Sequence, residues 1–358
     1  MAYTTIDDPS AHFQVVTYTG NNGSQSITLN GNSNLQADWG WWKRRNTAAD
    51  HSLIDSSRGV TKHLVSNTTG AEQTASAGTE LVSFDSNGFT LGAVNVTNSL
   101  NGNSDSIVAW LWKANGGTTS SFTESGSNPG GNYQANTTAG FSIVTYTGTG
   151  SNGTVQHGLS SAPELVIVKQ RDDNEHDWQT GSDFLTSWAY RLKLNDSVAE
   201  ASVATSFNST GPTSSVFTVG SNSDVNEDAH GYVGYCFHSV QGYSKFGSYE
   251  GNGNADGPFV YTGFKPAWLL IKRTDSAQHW ILTDSTRNTF NVASKRLFPN
   301  LSDAEATSSG TNDFDLLSNG FKCRTNHVEI NTSGGTYIYF AFAENPFVSS
   351  KGVPVTAR

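Results

Sequence analysis

The chain predicts an all-β fold of three tandem antiparallel β-sandwich domains, jelly-roll or lectin-like in style. Three observations carry that reading: a turn-rich, charge-poor composition, a set of landmark segments that recurs three times, and closing segments that alternate in side-chain size. Charged residues make up only 15% of the 358, aromatics reach 11%, and Gly, Ser, Thr and Asn are abundant. Such a mixture suits short strands joined by polar turns rather than helices. The length leaves room for two or three domains.

The landmarks come in a fixed order, and a repeat found first constrains every later assignment. An opening strand and turn reads Phe13-Gln-Val-Val-Thr-Tyr-Thr-Gly20, Phe141-Ser-Ile-Val-Thr-Tyr-Thr-Gly148 and, more loosely, Phe246-Gly-Ser-Tyr-Glu-Gly251. An apolar strand ending in a cation follows as Trp41-Trp42-Lys43-Arg44, Val166-Ile167-Val168-Lys169 and Leu269-Leu270-Ile271-Lys272-Arg273. The closing strand is Val108-Ala-Trp110-Leu-Trp112, Val233-Gly-Tyr235-Cys-Phe237 and Ile338-Tyr-Phe340-Ala-Phe342. Its period of two puts alternate residues on opposite faces of a sheet. Before it come Ser86-Asn87-Gly88-Phe89, Ser215-Val216-Phe217 and Ser318-Asn319-Gly320-Phe321, where Asn-Gly favours a tight turn of positive φ.

These landmarks divide the chain into five parts. Repeat one covers 1–114 and begins with a docking segment, repeat two covers 141–245, repeat three covers 246–345, and an extended tail covers 346–358. Between repeats one and two, residues 115–140 are rich in Gly, Ser and Thr and read as a linker or an inserted arm. Repeats two and three are joined closely through Val240-Gln-Gly-Tyr-Ser-Lys245. Repeat one is thus expected to be a detachable module and the other two a rigid pair.

Charge and composition exclude several classes. A net charge of −10 and a pI near 5.3 oppose nucleic-acid binding, which relies on clustered cations. No apolar run approaches a membrane span, and the polar, acidic amino terminus lacks the features of a secretory signal, so synthesis in a cytoplasm without membrane insertion is expected. Two cysteines, Cys236 and Cys323, make no disulfide framework and read as buried free thiols. Gly148-Thr-Gly150-Ser-Asn-Gly153 matches a dinucleotide-binding glycine pattern, but Thr154-Val-Gln-His-Gly-Leu159 continues as a strand where that motif needs a helix. A hairpin turn explains it. No zincin, nucleophile elbow or P-loop pattern is present, and neither an enzyme nor a cofactor is expected.

Three groups are candidates for binding. Trp39, Trp41, Trp178 and Trp280 either pack in the core or present aromatic faces to a sugar or a subunit. Asp55-Ser-Ser-Arg58 and Asp284-Ser-Thr-Arg287 occupy matching positions in repeats one and three, either as capped turns with an internal ion pair or as ligand-binding side chains. Repeat two has Thr180-Gly-Ser-Asp183 in that place. The acidic loops containing Asp172 and Asp173, and Asp224 and Asp228, are either solvated or weak sites for Ca²⁺, and neither has EF-hand spacing.

The start Ala2-Tyr-Thr-Thr-Ile-Asp-Asp-Pro-Ser10, the Phe-x-x-Val-Thr-Tyr-Thr-Gly units, Phe237 through Gly-Tyr-Ser-Lys-Phe-Gly-Ser-Tyr249 and Gly257-Pro-Phe-Val-Tyr-Thr-Gly-Phe-Lys-Pro266 resemble a repeat family of marine tailed bacteriophages. The likeness extends over essentially the whole chain, and the carboxy-terminal segment resembles family termini, which implies a complete protein. It implies a virion component, made in the host cytoplasm, with other virion proteins as partners, and carries over no catalytic residues. A tail fibre or adhesin that contacts a host-surface glycan or protein as a homo-oligomer is the expectation. The alternatives are a capsid- or tail-decorating connector and, last, a polysaccharide depolymerase.

Overall fold

The structure is a computed structural model and describes residues 3–94, 100–307, 310 and 313–354. Among these the fold is all-β, with α-helix confined to the single turns Ala204–Phe207 and Ser223–Asn226. Each repeat contributes an inner sheet in which the closing strand lies between the opening strand and the cation-ended strand. In repeat one the order is Phe13–Thr19, Ser106–Trp112, Trp39–Arg44, Ser52–Asp55. In repeat three it is Ser244–Glu250, Thr336–Pro346, Phe264–Arg273, Ile281–Asp284. Repeat two has the same centre, Phe141–Thr147, Gly231–Phe237, Leu165–Gln170, Gln179–Ser182, inside a sheet of eight strands. Pairing within all three is antiparallel.

A smaller outer sheet covers one face of each inner sheet. It comprises Gln25–Thr28, Gly88–Leu91 and Leu81–Asp85 in repeat one, Gly153–Gln156 and Val216–Val219 in repeat two, and Phe259–Tyr261, Gly320–Cys323 and Phe314–Leu317 in repeat three. Alternation along the closing strand of repeat one sends Ile107, Ala109 and Leu111 to the outer layer, where they meet Phe89 and Leu91. Val108, Trp110 and Trp112 point the other way. Both rows are buried, so the strand reads as a nearly continuous apolar run.

The inner faces of all three repeats meet in one core. Trp39 and Trp112 of repeat one, Tyr235 and Phe237 of repeat two, and Trp268 and Phe342 of repeat three belong to a single buried cluster. Trp39 stacks on Tyr235 at 4.4 Å between ring centroids, Phe13 on Phe342 at 5.2 Å, and Phe237 packs on Phe246 at 5.9 Å. The expectation of a detachable first module is therefore corrected. Three independent domains would each need a wet outer surface, whereas here each repeat's second face is dry only because the other two cover it.

The 115–140 segment also differs from a plain linker. Gly131–Asn136 pairs with residues 141–146 of the opening strand, and Ser120–Phe122 adds beyond it, so the arm covers the edge of repeat two's inner sheet. Its anchoring is polar. Buried Gln134 donates to the Ser56 and Ser57 hydroxyls at 2.8 and 2.6 Å and accepts from the Gly117 amide at 3.2 Å, stitching the arm to repeat one.

Glycine is required at a few turns. Gly88 takes φ +121 as the Asn-Gly step predicts, while Gly320 keeps an ordinary φ and is needed because a Cβ there would sit 2.1 Å from the Val260 carbonyl oxygen. Gly148 opens a turn whose next amide, Thr149, donates to buried Asn226, and strand Gly153–Gln156 follows, as a hairpin requires. The tail returns to the amino-terminal segment, where the Ser350 amide donates to Asp7 at 2.6 Å. The Tyr3 hydroxyl reaches the Gly263 carbonyl at 3.0 Å and the Tyr261 hydroxyl at 2.8 Å. Tail residues 355–358 lie outside the described residues. Cys236 and Cys323 are buried free thiols, both pushed well up by burial.

Candidate functional site

The Asp-Ser-x-Arg motifs build the junctions between repeats. Asp55 ends its strand opposite Trp39, and three residues on, Arg58 returns to it through its amide at 2.8 Å and its Nε at 2.6 Å. Arg58 Nη1 donates to Glu72 at 3.0 Å, and Tyr235 of repeat two donates its hydroxyl to Asp55 at 2.8 Å. Glu72 also receives both arms of Arg171 from repeat two, at 2.9 Å each. Asp284 and Arg287 copy the arrangement toward repeat one: Trp110 Nε1 donates to Asp284 at 3.0 Å, and Glu305 holds both Arg287 and Arg45. Burial opposes the charge on Arg58, but Asp55, Tyr235 and Glu72 outweigh it and lift its pKa above the ordinary value. Burial likewise works to raise Glu72, and the Arg171 and Arg58 guanidiniums overcome it and hold that carboxyl low.

The third junction is built differently. Register places Ser182 opposite Leu165, where Trp39 faces Asp55 and Trp268 faces Asp284. Ser182 and Leu185 thus replace the aspartate and arginine, which corrects the sequence alignment of Thr180–Asp183 with the motif by two residues; the aromatic at the equivalent of Tyr235 and Trp110 is Phe340, which has no polar side-chain atom. Leu185 joins the shared core. The charged pair is present where the facing ring has a donor and absent where it has none.

The tryptophans named from sequence lie inside these junctions. Trp39 and Trp41 are in the shared core, Trp178 donates to the Val65 carbonyl of repeat one at 2.8 Å, and Trp280 donates to the Lys193 carbonyl of repeat two at 2.9 Å. His51 takes the matching place in repeat one, against the Phe298 carbonyl of repeat three at 3.0 Å. All four indoles are at most 2% exposed, so they hold repeat to repeat and offer no face to a ligand. The same holds for Asp55, Arg58, Asp284 and Arg287, whose side chains are fully enclosed. Sequence reasoning missed the lysines that end the cationic strands. Lys43, Lys169 and Lys272 are buried, each donating to the next residue's carbonyl, and burial lowers them to about 8, about 8 and about 7.

A surface feature with the character of a binding site lies between repeats one and three. It is an open cleft of about 560 Å³ walled by Gln14, Asn30 and Asn32 on one side and Lys265, Thr289 and Asn345 on the other. Lys265 is paired with Glu344 at 2.7 Å, and Glu344 is the only acid in the walls. A second hollow of about 400 Å³ continues from it past Lys265, Ser285 and Thr289 to Phe290, which is 83% exposed. Neutral donors and acceptors beside one bare aromatic ring are a combination that suits the hydroxyls and apolar faces of a sugar. The sequence signal for it is slight: Phe290 sits alone in a polar run, Asn288-Thr-Phe-Asn291, with no strand alternation around it.

The Ca²⁺ candidates are only partly brought together. Asp172 accepts the Gly231 amide and Asp228 is exposed, whereas Asp173 and Asp224 converge on His176 with Glu227. A family described as a domain of unknown function, DUF7483, matches residues 8–346. The chain belongs to that family. The DUF7483 match takes in all three repeats and the 115–140 arm, the same stretch that closes around the shared core. No match to the chain was found among curated proteins.

Proposed function

We propose that this DUF7483 protein is a binding component of a bacteriophage particle, an adhesin or tail fibre that takes a host-surface glycan into the cleft between repeats one and three. The observation that carries the reading is Phe290, a bare ring at the end of a polar cleft in a chain whose other large aromatics are mostly enclosed. Several such weak sites on one particle gain avidity from being presented together. Glycoside cleavage ordinarily needs a pair of carboxylates across the bond, and the cleft offers Glu344 alone, already paired with Lys265. That favours binding over depolymerisation.

A decorating or connector role has its own support. The amino-terminal segment and the tail lie together, joined through Asp7 and Ser350, which suits attachment of both ends to one partner. Labelled protein that adsorbs to host cells and competes with infection is the expected result, with Phe290→Ser or Asn32→Ala reducing adsorption about tenfold. Adsorption only to stripped particles, unaffected by Phe290→Ser, favours the connector. Release of oligosaccharides from host polysaccharide overturns the non-enzymatic reading.

A further inference from the structure

We propose that repeat two carries a site for one divalent first-row metal ion of the zinc kind, with His176 Nε2, Asp173 and Glu227 as ligands and Asp224 as the residue that orients the imidazole. The three ligand groups come from the Asp172–Asp177 loop and from the end of the Ser223–Asn226 turn, and their donor atoms lie within 4.8 Å of one another. His176 Nε2 faces Asp173 at 3.2 Å and Glu227 at 3.5 Å, while Nδ1 faces Asp224 at 3.1 Å. A metal-bound histidine almost always gives its other ring N–H to a carboxylate, a backbone carbonyl or a water, which fixes the tautomer and aims the free nitrogen, and Asp224 stands in that position. Asp224 is itself fixed, accepting the Asp177 amide at 3.2 Å and the Gln179 side-chain amide at 2.6 Å.

The second observation is independent of the acids. Gln170 and Gln179 are fully buried, and their amide nitrogens end on the cluster, at Glu227 (3.0 Å) and Asp224 (2.6 Å). The carbonyl oxygen of each is buried without a hydrogen-bond partner. Carboxylates fix which way the amides turn, and the orphaned oxygens then need donors that the protein does not supply. Water carried on a bound cation is such a donor.

Donor chemistry selects the ion. An imidazole with two carboxylates suits zinc or its first-row neighbours, whereas Ca²⁺ asks for six to eight oxygens. The competing arrangement is His176 held by three carboxylates with no metal, and two other basic side chains stand near: Lys169, and His230 at 3.8 Å from Glu227. Register puts Ala49 and Gln278 where repeat two has His176, so repeats one and three lack the imidazole.

Calorimetric titration of Zn²⁺ into the chelator-treated full chain tests the site. One ion per chain is expected, with His176→Gln and Glu227→Gln each weakening binding at least tenfold, Asp224→Asn weakening it about tenfold, and Asp172→Asn leaving it unchanged. Zn²⁺ should raise the melting temperature of the parent and not of His176→Gln, and near-UV circular dichroism confirms that each variant is folded. Should a variant unfold, Asp173→Asn, at the more exposed ligand, serves in its place. No saturable binding, binding unchanged in both His176→Gln and Glu227→Gln, or Ca²⁺ binding as tight as Zn²⁺ and indifferent to His176→Gln overturns the proposal.

Discussion

Asp55, Arg58 and Tyr235 form a closed set in which every member depends on the other two, and the third junction shows how the same space is filled without charge. Removing one partner of a buried ion pair strands the other and costs about 3–5 kcal/mol. Asp55→Ser alone should fall in that range by urea denaturation. Tyr235→Phe alone should cost about 1–2 kcal/mol. The triple change Asp55→Ser, Arg58→Leu, Tyr235→Phe copies Ser182, Leu185 and Phe340, and should cost less than Asp55→Ser by itself. The buried lysines make a second prediction. With Lys43 and Lys169 near 8 and Lys272 near 7 in the fold and about 10.4 unfolded, the unfolded chain holds more protons across that interval, so stability rises with pH from 7 toward about 9, above which Cys236 and Cys323, pushed up by burial, act the other way. The histidines act in the same direction as the lysines lower down. Burial lowers His12, His51, His157 and, to about 4, His63, so stability is lost as pH falls below about 6.5, where the unfolded chain takes up protons first. Urea midpoints should therefore order pH 5 below pH 7 below pH 9, and Lys272→Met should flatten the upper limb.

At the level of strands, the landmark segments were legible because they are apolar, periodic and repeated. The closing strands gave the inner sheets directly. What composition hid was the arm, since Gly131-Asn-Tyr-Gln-Ala-Asn136 is held by main-chain pairing and by Gln134 rather than by apolar side chains. Gln134→Leu should cost about 1–3 kcal/mol by denaturation, because two hydroxyls and an amide lose a buried partner. The acidic loops were legible only one at a time. Asp173 with His176, and Asp224 with Glu227, meet through the placement of the Ser223–Asn226 turn against the inner sheet, and no spacing within either loop encodes that. Glu72 and Glu305 were missed for the same reason: their arginine partners across the junctions, Arg171 and Arg45, are far away in sequence.

For the whole molecule the repeat was visible and its closure was not. A row of alternating aromatics says that a second face exists, but the pattern is the same whether that face meets solvent, a ligand or another repeat. Repeat one expressed alone as residues 1–114 should expose Trp39, Trp41 and Trp110 and fail to give a cooperative melt, while the intact chain should melt as one unit. A circular permutant that joins the tail to the amino-terminal segment and opens the chain in the 115–119 turn should still fold, since Asp7 and Ser350 already touch.

The unequal junctions have a consequence for how such a molecule changes. In a ring of three separate identical chains every substitution is made three times, so a change that suits one interface is imposed on the other two. Here Ser182 and Leu185 occur once, with Leu185 in the buried cluster that also holds Phe340, while the other two junctions keep their ion pairs. Joining the copies in one chain lets each third of the ring vary alone, so a new surface or site can be acquired in one place while two intact seams keep the body closed.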